Sequence, residues 1–261
     1  MTPRKVLLLG NSYSAAPRVA LRNDPGRWPG LQVTVLAMPG NMLAALALEE
    51  GRLVPRGDDA RYSMGYYNDM TELALAGFDA FAVIGGLSFY TLLPLQNTHR
   101  SPDFPSVMRG EACQLISTGL MDAMIRQHMT ISAALCTIRL LAGLGQGPVL
   151  FMDSLFPSAD CWQDGERFDP YIAMAERGDA AAFHARYLRI LHEALGSDAT
   201  YLPQPVQTIV EEVFTAPEWI RGSLRMQPRR DVPHEKTDFG HANPAYGALQ
   251  VDLIASALAG L

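Results

Sequence analysis

Lys5-Val6-Leu7-Leu8-Leu9-Gly10-Asn11-Ser12 is the stretch from which the fold can be read. Its unbroken apolar run predicts a strand, β1, buried on both faces, as in a parallel sheet covered by helices on either side. Gly10-Asn11-Ser12 ends the strand abruptly, because glycine tolerates backbone angles closed to other residues and Asn and Ser bond readily to nearby backbone. A polar side chain at the exit of a buried parallel strand lies where open α/β sheets hold their ligands. Ser12 is therefore the first candidate for chemistry, beside the plainer role of a turn residue or helix N-cap.

Outward from β1, the same pattern recurs. Leu31 to Ala37 reads as β2, closed by Met38-Pro39-Gly40-Asn41, and Phe78 to Ile84 as β3, closed by Gly85-Gly86-Leu87-Ser88. Pro148 to Met152 reads as β4 and Thr200 to Pro203 as a short β5. Between them, helices are expected at Ala15 to Leu21 with Pro17 in the first turn, at Met42 to Glu50, and as one or two long helices within 106–144. Further helices are expected at Ala180 to Leu195 (closed by Gly196), Val206 to Phe214 and Ala245 to Leu258. Residues 51–72 break the rhythm, with a small hairpin at Gly51 to Asp59 and then a loop crowded by Tyr62, Tyr66, Tyr67 and Asn68. Irregular loops are expected at 94–105, 153–169 and 216–235. Strands alternating with helices predict a parallel sheet in one domain spanning 1–261.

Composition narrows the classes. Hydrophobic residues at 48% against 18% charged predict a sizeable packed core and exclude wholesale disorder. A net charge of −6 with no basic block argues against a nucleic-acid partner, which needs a concentrated basic face. Cys113, Cys136 and Cys161 are odd in number and lack CxxC spacing, so they read as reduced, mostly buried thiols of a cytoplasmic protein. The apolar run before Gly10 is too short for a signal-peptide core, and no segment approaches the roughly 20 apolar residues of a membrane span.

Chemistry gathers again at Thr237-Asp238-Phe239-Gly240-His241-Ala242-Asn243-Pro244, just before the last helix. Asn243 suits an N-cap and Pro244 the first helical position. Asp238 and His241, three residues apart on a turn, can hydrogen-bond so that the carboxylate keeps one imidazole nitrogen protonated and leaves the other as a base. With Ser12 they complete a nucleophile, base and orienter. His234, Asp238 and His241 also allow a two-His-one-carboxylate metal site, which would leave Ser12 idle. His99, His128, His184 and His192 have no ligand partner in sequence, and the last two are expected on a helix surface.

These blocks resemble the SGNH (GDSL-like) hydrolases. That family opens with a strand running into Gly-Asp-Ser and closes with Asp-x-x-His before the last helix; here Asn11 takes the Asp position and Ser12 the serine. Gly40 matches the family's second block, a glycine whose N–H helps bind the oxyanion. The third block departs: the family has Gly-x-Asn-Asp, whereas Gly85-Gly86-Leu87-Ser88 has no Asn, so that Ser88 or Asn41 donates in its place or the donor is missing. The resemblance implies a three-layer α/β/α sandwich with a five-stranded parallel sheet of the flavodoxin-like type. It also implies a Ser12–His241–Asp238 triad, an oxyanion hole from the N–H groups of Ser12 and Gly40, and no metal or organic cofactor. The implied activity is serine-dependent hydrolysis of a small-molecule or carbohydrate ester. The alternatives are a sugar O-acyltransferase on the same fold, or a relative that binds an acylated glycan or protein partner without turnover.

Overall fold

A computed structural model describes residues 2–164 and 166–260. Its centre is a sheet of five parallel strands: β1 (Arg4–Gly10), β2 (Leu31–Ala37), β3 (Ala80–Ile84), β4 (Val149–Met152) and β5 (Thr200–Tyr201). Their spatial order is β5-β4-β3-β1-β2. The chain reverses its direction of travel across the sheet between β1 and β3, the switch point at which such sheets leave a crevice. Register aligns the exits, for Gly10 sits opposite both Ala37 and Ile84, and Ile84 opposite Met152. Asn11-Ser12, Pro39-Gly40, Gly85-Gly86 and Asp153-Ser154 therefore emerge side by side.

Alternation along β1 divides the core. Val6 and Leu8 join Ala80, Ala82 and Ile84 of β3, Leu150 and Met152 of β4, and Ile254 and Leu258 from α6, the closing helix (Pro244–Ala259). On this face α6 packs against α1 (Ala15–Asn23) so tightly that a Cβ at Gly247 would lie 2.2 Å from the Ala16 carbonyl oxygen. Leu7 and Leu9 point the other way, into a larger cluster with Phe81, Val83 and Phe151. That cluster is closed by α3 (Thr118–Thr130), α4 (Ala133–Ala142) and α5 (Ala180–Leu195). Phe183, Tyr187, Ile190 and Leu191 form the buried stripe of α5, at the spacing an amphipathic helix requires. Each such side chain contributes about 1.5–3 kcal/mol by leaving water. The strands and helices thus make a three-layer α/β/α arrangement. Among the described residues, no helix is long and apolar enough to cross a membrane.

The structure corrects several expectations. Met42 to Glu50 is not a helix: one 3₁₀ turn, Met42–Ala45, leads into a strand, Leu46–Glu49, paired antiparallel with Arg52–Pro55. Glu50 and Gly51 both have positive φ (48° and 75°), so a tight hairpin turn and the burial of Leu46 and Leu53 prevail over helical composition. Tyr62, Tyr66, Tyr67 and Asn68 lie on a helix, α2 (Asp58–Asn68), rather than in a loop. Asn68 ends that helix beside β2, accepting from Ala37 N at 2.7 Å and donating to Ala37 O at 2.9 Å as a neighbouring strand would. The long helical region within 106–144 divides at Ser132, whose hydroxyl caps Leu135 N at 3.2 Å and starts α4.

Val206 to Phe214 also departs from the helical expectation. A 3₁₀ turn at Val206–Thr208 passes into a two-stranded hairpin pairing Ile209 with Thr215. Its bend uses positive φ at Glu211 and Glu212, and full burial of Phe214 against Tyr171 holds the pairing. The loop expected at 94–105 contains a short helix, Leu93–Thr98. Of the cysteines only Cys161 is buried; Cys113 is partly so and Cys136 is exposed. His184 is not a surface residue either: it packs edge-on against Phe89 and Phe156, and burial pushes its pKa down to about 4.

Candidate active site

Ser12 begins a single 3₁₀ turn, Ser12–Ser14, that runs directly into α1. Asn11 holds this corner. Its side chain accepts from Tyr13 N at 3.2 Å, and its carbonyl accepts from Ser14 N at 2.9 Å and Ser14 Oγ at 2.7 Å. The corner also leans on the exit of β3, where Gly85 has φ +72° and a Cβ would lie 2.4 Å from Asn11 Oδ1. Only glycine meets both demands. Asn11 thus has a local structural task in addition to facing the crevice.

The second half of the site comes from the segment before α6. Asn243 caps that helix, accepting from Tyr246 N at 3.1 Å with Pro244 in the first turn, as its sequence leads one to expect. The Asn243 amide also donates to Glu218 O at 2.6 Å and Arg221 O at 3.0 Å, which ties the preceding loop to the helix start. Phe239 is buried, packs on Phe168 and accepts from Ser158 N at 2.8 Å. Between these two anchors Asp238 turns its carboxylate back onto its own chain and accepts from Gly240 N and His241 N, each at 3.1 Å.

These constraints bring three predicted residues together. His241 Nε2 lies 2.9 Å from Ser12 Oγ, and His241 Nδ1 lies 2.8 and 2.9 Å from the two oxygens of Asp238. Burial alone would raise the Asp238 pKa, but hydrogen bonds from His234 and His241 and their charges outweigh it and hold the carboxyl well below the usual range. An ionised Asp238 fixes the Nδ1–H tautomer of His241 and leaves Nε2 free to accept the Ser12 proton.

Two side chains that sequence reasoning did not place in the triad also touch it. His234 Nδ1 lies 2.7 Å from Asp238 Oδ2, and its ring stacks on His241 with centroids 4.3 Å apart and planes 9° apart. Tyr13 also stacks on His241 at 5.3 Å, and its hydroxyl meets that of Tyr90 at 2.9 Å. Burial, then the neighbouring Tyr90, keeps Tyr13 well above the usual phenol range, so it acts as a neutral wall. The only sequence signal for Tyr13 was its position next to Ser12, on a turn too tight to face it away.

The remaining predicted residues lie at the neighbouring strand exits. Asn11, Asn41, Gly86 and Ser88 line a cleft of about 290 Å³ together with Thr91 and His128. Gly40 has φ +53° and is exposed, with open space where a Cβ would be. Asn41 is exposed at the start of the next turn. Ser88 is committed elsewhere: its hydroxyl donates to Ser154 Oγ at 2.8 Å, and Ser154 Oγ donates onward to Leu87 O at 3.0 Å.

His234, Asp238 and His241 offer three donor atoms within 4.8 Å of one another, the set considered for a metal. Their geometry suits hydrogen bonds better. Imidazole planes 9° from parallel with centroids 4.3 Å apart do not converge on one point about 2.0 Å from both Nδ1 atoms, as in-plane lone pairs on a shared ion must. No protein-family model matches the chain, and no curated protein matches it.

Proposed function

We propose that the protein is a serine-dependent ester hydrolase. The observation that carries this reading is the continuous chain from Ser12 Oγ through His241 to Asp238, with contacts of 2.9 and 2.8 Å. In the proposed reaction His241 Nε2 takes the Ser12 proton as Oγ attacks an ester carbonyl, and Asp238 stabilises the imidazolium that forms. The developing oxyanion is assigned to the N–H groups of Ser12 and Gly40, with the Asn41 side chain as a third donor from the cleft. Collapse of the tetrahedral intermediate breaks the ester C–O bond, and His241 returns its proton to the departing alcohol oxygen. Water, activated by the same nitrogen, then releases the acid.

The cleft of about 290 Å³ beside Asn11 has room for a small ester. A sugar hydroxyl in place of water would make the same apparatus an O-acyltransferase, and a binder without turnover would keep the pocket and lose the rate. A fluorophosphonate, which phosphonylates activated serines with loss of fluoride, separates the two catalytic readings from the binder. Wild-type protein labels, Ser12→Ala does not, and absence of wild-type labelling in a folded sample sinks the proposal. Ester turnover that disappears with a chelator and returns with zinc would replace it with the metal reading. Product analysis with and without a sugar acceptor distinguishes hydrolysis from transfer.

A further inference from the structure

The hydrolase reading above leaves His234 without a task, although among the described residues no side chain is bound more closely to Asp238. Its Nδ1 is 2.7 Å from Oδ2, its ring lies on His241, and its backbone N–H donates to Ser223 O at 3.0 Å. The side chain is 12% exposed, and among the described residues its buried Nε2 has no hydrogen-bond partner. Asp238 can only accept, so each imidazole donates to it from Nδ1. His234 therefore meets the triad as a donor to Asp238.

With His234 in place, Asp238 has no idle oxygen. Oδ1 takes the Gly240 and His241 amides at 3.1 Å each, Oδ2 takes His234 Nδ1, and His241 Nδ1 lies across both oxygens. The carboxylate is held against rotation about its Cβ–Cγ bond, and the stacked ring holds His241 against tilting.

We propose that His234 is a positioning residue of the triad, which sets the aim of His241 Nε2 at Ser12 by clamping Asp238 and lying flat on His241. The proposal rests on the esterase reading, and its test separates the two. His234→Phe keeps a flat ring but loses the donor; His234→Asn restores an N–H near the position of Nδ1 without the ring. With a p-nitrophenyl ester, His234→Phe lowers kcat about 10–100-fold at unchanged KM, the range a misaimed catalytic group produces. His234→Asn recovers most of that loss. Equal loss in both variants, or none in His234→Phe, overturns the proposal, with melting curves verifying that each variant is folded.

A second readout needs no turnover. In wild-type protein the imidazole Nδ1–H protons of His234 and His241 give two downfield proton resonances, and His234→Asn removes one. The second, assigned by its loss in His241→Gln, broadens or shifts in His234→Phe because its acceptor is no longer clamped. An unchanged His241 resonance in His234→Phe overturns the positioning role even if the protein has no esterase activity. Missing fluorophosphonate labelling with an altered resonance refutes the esterase reading alone.

Discussion

Two strand exits of one sheet each present a half-buried serine, and the structure treats them in opposite ways. At the end of β1, Ser12 Oγ meets His241 Nε2 at 2.9 Å; at the end of β3, Ser88 Oγ meets Ser154 Oγ at 2.8 Å. The distances are alike and the chemistry is not. Behind His241 stands a carboxylate that stabilises positive charge on the imidazole, whereas Ser154 donates its proton to the neutral Leu87 carbonyl. A hydroxyl becomes a nucleophile through the basicity of the group that takes its proton. What separates Ser12 from Ser88 is therefore the chain segment 229 residues further on, not the strand exit itself.

The largest break in this comparison is Ser12→Ala, expected to lower kcat by about 10⁴–10⁶-fold while leaving the melting temperature near wild type. Ester hydrolysis and melting curves measure it, and residual turnover within tenfold of wild type would relocate the nucleophile. Asp238→Asn comes next, with a fall of about 10⁴-fold, since an amide no longer fixes the imidazole tautomer. Asn41→Ala then tests the substitute oxyanion donor and is expected to lower kcat about 10²–10³-fold. A value near unity would assign the oxyanion to backbone N–H groups alone.

Asp153, at the exit of β4, sharpens the comparison through stability. Burial pushes its pKa up to about 6 despite hydrogen bonds from Tyr201 and Tyr187. A raised carboxyl pKa means that the folded state holds the proton more tightly. Its contribution to stability is then complete below about pH 4 and lost as pH rises through 6. Asp153→Asn is accordingly expected to melt higher than wild type at pH 8 and to lose that advantage towards pH 4, a swing of up to about 2 kcal/mol. Parallel melting curves across that range would refute it. The smallest effect belongs to Ser88→Ala, expected to change kcat by less than about threefold, because its proton is already given to Ser154. A loss of 10²-fold would make Ser88 the missing donor of the third block.

Much of the site is legible in the chain because the deciding interactions are local. Asp238 and His241 share one turn, Asn243 and Pro244 announce the helix that follows, and Gly10-Asn11-Ser12 is a corner whose residues cap themselves. The strands are legible for a similar reason, since an uninterrupted apolar run has few other places to go. The helical expectations at Met42 to Glu50 and Val206 to Phe214 fail because helical composition is a weak preference there. Both hairpins depend on positive-φ bends at charged or glycine residues and on burying Leu53 and Phe214 against distant partners.

The sequence by itself determined the alternation of strand and helix, the serine at the first strand exit and the Asp-x-x-His turn, because each rests on neighbours within a few residues. Only the tertiary structure decided that Ser12 and not Ser88 faces an imidazole, that His234 lies on His241, and that Asn11 shares its corner with Gly85. Those pairings arise from strand register and from the packing of α6 against α1, which sum over contacts spread along the whole chain.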